Sequence, residues 1–288
     1  EADGDTFKAA QVSLGALGII TQITLQCEPA YNLKRIKKRA PLERTLKNID
    51  KHLADNRNFE LFWFPYADSC LQQSLNYTQE PADKDTAWQY FVDVVWENRT
   101  WKLASEAVRL MPGLAKSVSK MGASGMATGV DIREAHRLYP AVRDVRFYEM
   151  EYSVPREEGP AVLRKIREFV RKQKIKVHYP IEYRYCAGDD ILISPGHGGE
   201  RAYISVHQYC GMDYRPYFNA LEPVFQAHGG RPHWGKMHTA DTAYLRSQYP
   251  RFDDFLAVRE KLDPEHVFVS PYLSALFGLE RVAELETA

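Results

Sequence analysis

Along this chain, apolar and polar positions switch between two periods. Alternation of period two marks Phe59 to Pro65 and Cys70 to Tyr77 as two strands joined by a turn, and Val145 to Val154 as a strand ended by Pro155. Tyr179 to Cys186 and Ala202 to Tyr209 are predicted as strands flanking a Gly-rich loop, Ser194 to Gly199. Helical spacing links Leu42, Leu46, Ile49 and Leu53, and the stripe Val162, Leu163, Ile166, Phe169 and Val170 within Arg156 to Gln173. Asp213 to Gln226 is predicted helical despite Pro216 and Pro223. Asp83 to Pro140, with Trp88, Phe91, Val94, Val95 and Trp101, is predicted mostly helical and carries no legible chemistry. From Val12 to Leu25, a Gly-punctuated turn or short helix leads into a strand, because Ile23 and Leu25 alternate with Gln22 and Thr24. Gly15 and Gly18 are read there as points of close backbone approach. Strands and helices follow one another without a regular βαβ rhythm, which favours an α+β fold on a mixed or antiparallel sheet.

Composition narrows the function classes. The 288 residues are 44% hydrophobic and 12% aromatic, enough for a substantial core. Lys and Arg number 38, as do Asp and Glu, so no global field draws the chain to nucleic acid or to an anionic surface. The apolar runs fall short of the roughly 20 residues that cross a bilayer, and the first residues lack the pattern of a signal peptide. A soluble, cytoplasmic protein is expected. Cys27, Cys70, Cys186 and Cys210 are too far apart for a metal-ligand pattern and are read as four buried thiols in a reducing compartment.

Three short stretches carry candidate chemistry. In Pro180-Ile181-Glu182-Tyr183-Arg184-Tyr185, alternation places Glu182 and Arg184 on one strand face, either as a solvated ion pair or as a site. In Tyr203 to Tyr209 it aligns Tyr203, Ser205, His207 and Tyr209, with a satisfied core histidine as the plainer alternative. Gly229-Gly230-Arg231-Pro232-His233-Trp234-Gly235-Lys236-Met237-His238 suits neither helix nor strand and is read as a shaped loop, with a surface cation–π contact as the alternative.

That loop, followed by Leu262-Asp263-Pro264-Glu265-His266-Val267-Phe268 and Tyr272-Leu273, resembles the C-terminal domain of the D-arabinono-1,4-lactone oxidase, L-gulonolactone oxidase and alditol oxidase family, within the vanillyl-alcohol oxidase flavoproteins. Ser13 to Thr21 is similar to the end of that family's FAD-binding domain. Glu149-Met150-Glu151-Tyr152-Ser153-Val154-Pro155 and Pro180 to Arg184 fall between them in the expected order. The resemblance covers residues 7 to 30 and 145 to 278, and hardly touches 83 to 140.

The resemblance implies FAD as cofactor and a sugar lactone or polyol as substrate. It also implies hydride transfer from a carbinol carbon to flavin N5, with O2 or another acceptor reoxidising the flavin. Lys236, Arg184 and Glu182 would be catalytic and line the substrate pocket together with His207. His233 would contact the flavin, and Gly15, Gly18, Ile19 and Ile20 its adenine half. A histidine at 207, where alditol oxidases hold a hydroxylic ligand, departs from the pattern and weakens the polyol assignment. Ser270-Pro271 replaces an expected asparagine-containing turn. The implied layout is the end of a PCMH-type FAD-binding domain over 1–29, a substrate-binding cap domain over 30–230, and a segment over 231–288 returning to the FAD domain. Most of the FAD site would lie in an N-terminal segment preceding Glu1, either a separate polypeptide or, as favoured, part of the same chain before nicking of an exposed loop. A non-catalytic binding or structural subunit keeping the cap fold is the alternative.

Overall fold

The computed structural model describes residues 4–84, 97–139 and 144–279. Trp88, Phe91, Val94 and Val95 and the tail from 280 onward lie outside these. Among the described residues, the strands are β1 (Asn32–Pro41), β2 (Asn58–Trp63), β3 (Ser69–Thr78), β4 (Gly129–Glu134), β5 (Phe147–Pro155), β6 (Ile181–Cys186), β7 (Arg201–Tyr209) and β8 (Arg231–Pro232). They form one sheet in the order β4-β1-β3-β2-β6-β7-β5-β8, with every neighbouring pair antiparallel.

Alternation divides this sheet into two unlike faces. On one, Leu61, Trp63, Met150, Tyr152, Val154, Ile181, Tyr183, Ile204 and Val206 are buried. Helices cover that face: α1 (Leu42–Lys47), α2 (Ile49–Asp55), α3 (Gly159–Gln173) and α4 (Arg215–Gln226). They contribute Leu46 and Ile49, the predicted stripe Val162, Leu163, Ile166 and Val170, and Tyr217, Leu221 and Phe225. Burying each large side chain stabilises the fold by roughly 1.5–3 kcal/mol. Close approach is needed where α3 begins. A Cβ on Gly159 would lie 2.2 Å from the Tyr183 hydroxyl and 2.7 Å from the Ala202 Cβ.

A second cluster joins the early and late parts of the chain. Ala9 and Ala16 pack with Trp234, Leu245, Phe252, Phe255, Leu273 and Phe277. Lys8 pairs with Asp190 at 2.6 Å, and Arg251 with Asp5 at 3.0 Å.

Three expectations need correction. Residues 18–31 form no strand: Ile23 and Leu25 are exposed, and no described segment pairs with them to satisfy a ladder. Gly15 and Gly18 do not mark close approach, since an added Cβ would meet nothing within 4 Å. Their positive φ angles, 77° and 115°, are what call for glycine. Asp83 to Pro140 is mostly helical among its described residues, as expected, through Glu97–Leu110 and Ala115–Gly125, and adds the edge strand β4, which pairs with β1, a Lys- and Arg-rich strand whose alternation is masked by charge. Of the cysteines, Cys70 is buried, whereas Cys27, Cys186 and Cys210 are exposed. Cys186 ends β6 and Cys210 follows β7, beyond the helix-covered core.

Candidate active site

The face of β5, β6 and β7 turned away from these helices gathers the charged residues. In the register Glu149 lies opposite His207, Glu151 opposite Ser205, and Ser205 opposite Glu182, so all five project from one face. Arg184 extends the row toward Glu60 of β2. These are the residues that alternate with the buried Met150, Tyr183, Ile204 and Val206.

The shaped loop closes over this row from the sheet edge. β8 pairs with Tyr152 and Ser153 of β5, after which the chain turns away. The backbone N–H of His233 donates to the Glu151 carbonyl and that of Met237 to the Glu149 carbonyl, each at 3.0 Å. Trp234 anchors the turn: its indole donates to the Ile193 carbonyl at 2.8 Å and stacks on Tyr249 at 5.1 Å. Arg231 ties the loop from behind, donating to the Gln248 and His197 carbonyls at 2.8 and 2.7 Å and lying over the Tyr249 ring. Arg231 is therefore a brace. Both the shaped loop and the cation–π contact are present.

Lys236 consequently reaches back across β5. Its Nζ lies 2.6 Å from Glu149 Oε1 and 2.8 Å from Glu151 Oε2. Arg184 donates to Glu151 at 2.9 Å and to Glu182 at 3.1 Å, and the Ser205 hydroxyl donates to Glu151. His207 Nδ1 is 2.9 Å from the Pro180 carbonyl, and its Nε2 is 3.3 Å from Glu149 Oε1. Glu151, with a side chain 1% exposed, is the node of the network.

Burial pushes the Glu149 carboxyl up, but the hydrogen bonds and charges of His207 and Lys236 outweigh it and hold it well below the usual carboxylate range. Burial acts on Glu151 in the same direction and is overcome by Arg184 and Lys236. Arg184 is held above its ordinary value, burial being outweighed by Glu151 and Glu182. Burial lowers His233, which favours a neutral ring. The site thus sets carboxylates against cations, with the His233 and His238 rings both lowered by burial, beside a cavity of about 560 Å³ lined in part by Phe147, Glu149, Trp234, Lys236, His238 and Tyr272.

Glu182, Arg184, His207, His233 and Lys236 are brought together as their motifs suggested. Gly15, Gly18, Ile19 and Ile20 are not: Ile19 and Ile20 are 78% and 52% exposed, and no hydrogen bond or core cluster among the described residues links the four to the charged row. Glu149 and Glu151 were missed as site residues. The alternation of Glu149-Met150-Glu151-Tyr152, the same signal that singled out Glu182 and Arg184, places them on the polar face.

The family model of D-arabinono-1,4-lactone oxidase matches residues 23–276. An L-gulono-1,4-lactone dehydrogenase of Mycobacterium tuberculosis is 39% identical over 277 residues, covering 96% of this chain and 65% of the relative. The L-gulonolactone oxidase of Bos taurus is 29% identical over 283 residues, covering 96% of this chain and 64% of the relative. The chain therefore spans about two thirds of the length of the curated relatives it matches. Among solved structures, a solvent-stable cholesterol oxidase shares the fold with a TM-score of 0.76 and 17% identity, over 95% of this chain and 65% of that one.

Proposed function

The chain belongs to the D-arabinono-1,4-lactone oxidase family, and from that premise we propose that the intact protein oxidises a sugar-1,4-lactone, or a related polyol, at a carbinol carbon with FAD as cofactor. The observation that carries this reading is the convergence of Lys236, Arg184 and Glu182 on the sheet face turned away from the helices, beside the His233 loop.

The residues present fit a flat flavin ring with a polar edge. His233 is half-buried on a loop held rigidly by Trp234 and Arg231, and Lys236 and Arg184 stand beside it. Exposed Ile19, Ile20, Ile23 and Leu25 offer apolar surface in the segment that the resemblance assigns to the adenine half. FAD, when bound, supplies an acceptor for a hydride. The protein's own task is to hold the carbinol and receive its charge. An ammonium has three donors, and Glu149 and Glu151 occupy two of those on Lys236, leaving the third for a substrate oxygen. That donor and the Arg184 guanidinium stabilise the alkoxide character that develops as the carbinol hydroxyl loses its proton to water. Glu182 accepts from a neighbouring substrate hydroxyl while orienting Arg184.

The test is anaerobic mixing of the full-length, FAD-loaded protein with an aldonolactone and, separately, an alditol, while flavin absorbance is followed. Rapid bleaching by the lactone is expected. Lys236→Met is expected to slow it by roughly two to three orders of magnitude, the scale of one lost oxyanion donor, without loss of bound FAD. Unchanged reduction removes Lys236 from the chemistry. A folded, colourless full-length protein would instead support the non-catalytic alternative.

A further inference from the structure

The turn that carries Lys236 is held at one end by Trp234, through the indole bond to the Ile193 carbonyl. Just beyond its other end, the Thr239 backbone N–H and hydroxyl both donate to the buried carboxylate of Glu222, each at 2.6 Å. Between these points Lys236 N–H donates to the His233 carbonyl and Met237 N–H to the Glu149 carbonyl. Gly235 is exposed and offers no side chain to pack. A residue remote in sequence closes the turn instead. Tyr272, on the helix Pro271–Phe277, places its hydroxyl 3.0 Å from the Trp234 carbonyl oxygen and 2.9 Å from His238 Nε2.

One arrangement of protons satisfies both contacts. A carbonyl oxygen only accepts, so the phenol proton goes to Trp234, and the hydroxyl oxygen accepts from His238 Nε2. Tyr272 therefore spans residues 234 and 238, on either side of Lys236. Its own helix is placed independently of the turn. Ser270 caps it by accepting from the Leu273 N–H at 3.3 Å, Pro271 stands in the first turn, and Leu273, Leu276 and Phe277 are buried in the second cluster. Tyr272 itself is 48% exposed and lines the same cavity as Lys236 and Glu149. With so much of the ring exposed, its two hydrogen bonds matter more than its packing.

Resting on the reading above, we propose that Tyr272 is a positioning residue that clamps the turn from Trp234 to His238, so that the third donor of Lys236 stays aimed at the substrate. Glu149 and Glu151 fix two of the protons on Nζ. The two remaining tetrahedral positions hold Cε and the third proton, so the place where the turn sets the lysine stem decides where that proton points. A flexible stem lets both carboxylates keep their hold while the turn shifts, and the third donor then swings away from the reacting oxygen. Holding the backbone is therefore a separate requirement from holding the ammonium.

The experiment uses the full-length, FAD-loaded protein, in which Tyr272→Phe keeps the ring and removes both bonds. In anaerobic lactone-driven flavin reduction, its limiting rate should fall roughly 10- to 100-fold, the scale of a displacement of about 1 Å at a reacting group. Lactone affinity should change by less than about threefold, and FAD should stay bound. In a Lys236→Met background the same substitution should change the rate by less than about twofold, because the group that it positions is gone. His238→Leu removes the other partner; it should slow reduction too and add little to Tyr272→Phe. Slowing that persists undiminished in Lys236→Met overturns the proposal, as does loss of FAD from Tyr272→Phe, which would assign the hydroxyl to the cofactor. Amide hydrogen exchange reads the clamp without turnover. The Lys236 and Met237 amides should exchange at least about tenfold faster in Tyr272→Phe, with the Ser153 amide of β5 unaffected, and unchanged exchange overturns the proposal. Failure of every lactone to reduce the flavin would sink the proposed function, whereas the exchange rates would still decide whether Tyr272 holds the turn.

Discussion

Met150 and Glu151 are neighbours in β5, yet they belong to different kinds of protein interior. Met150 enters a core made of Tyr152, Ile204, Leu221 and Phe225 beneath two helices, where any side chain of the right shape and polarity would serve. Glu151 enters a row in which Arg184, Lys236 and Ser205 are each placed by a different element and each uses the same carboxylate. The apolar face draws its stability from area and packing, which are spread over many residues. The polar face depends on a few bonds, and a single lost partner leaves another group unpaired. One face is tolerant of chemistry and sensitive to volume; the other is the reverse.

The comparison is broken most severely from the helix side. Phe225 is fully buried and stacks on Tyr152 at 5.0 Å. Phe225→Ala should cost about 3–5 kcal/mol in denaturant-induced unfolding, through lost transfer energy plus the cavity left behind. The charged row on the opposite face should keep its arrangement, visible as unaltered His207 nitrogen shifts at temperatures where the variant is folded. A cost below about 1 kcal/mol would show that the two faces do not divide the work as described.

A smaller effect comes from the polar side. Glu151→Gln preserves volume but removes the charge shared by Arg184 and Lys236, one of which retains Glu182 and the other Glu149. The expected cost is about 1–3 kcal/mol, below that of an isolated buried pair because Arg184 is 40% exposed on its side chain. Its pH dependence sharpens the contrast. Glu149 and Glu151 have folded values held below the ordinary 4.5, so the unfolded state binds protons first on acidification. Their contribution is complete above that ordinary value and is lost as pH falls below it toward the depressed folded values. Unfolding free energy measured from neutral pH down to about pH 3 should therefore fall less steeply in Glu151→Gln than in the parent. Parallel profiles would show that Glu151 is not an ionised node.

The two faces were also unequally legible in the sequence. Period-two alternation located β2, β3, β5, β6 and β7, and the helical stripe located α3, because a half-buried element must repeat its buried positions. Alternation also gave Glu182 and Arg184 a common face. It could not reveal β1, where lysines and arginines fill half the positions of a strand that is itself only partly buried. Nor could it reveal that Lys236, distant in sequence, would dock on Glu149 and Glu151, since this depends on where the Trp234 anchor sets the loop against β5. The Gly15 to Ile20 segment shows the converse: its motif is legible, but within the described structure its exposed isoleucines pack against nothing that would disclose a role.

The mildest test concerns Glu182, whose pairing with Arg184 is suggested most directly by the sequence. Taken alone, the pair implies that Glu182→Gln strands a buried guanidinium, with a cost to both folding and binding. The structure changes that expectation, because Arg184 also donates to Glu151 at 2.9 Å, closer than its 3.1 Å contact with Glu182. Glutamine at 182 can still accept a hydrogen bond from Arg184, so the lost charge is softened twice. Unfolding free energy should therefore drop by less than about 1 kcal/mol. Binding is a separate matter. If Glu182 accepts a substrate hydroxyl, as proposed, lactone affinity should weaken by about tenfold, the scale of one charge-assisted hydrogen bond reduced to a neutral one. Calorimetry of the lactone with the full-length variant, beside its denaturation curve, separates the two quantities. A stability loss of 3 kcal/mol or more, within roughly the range for an unpaired buried charge, would mean that Glu151 does not share Arg184. Unchanged affinity would confine Glu182 to orienting Arg184 and leave substrate recognition on this face to Lys236 and Arg184.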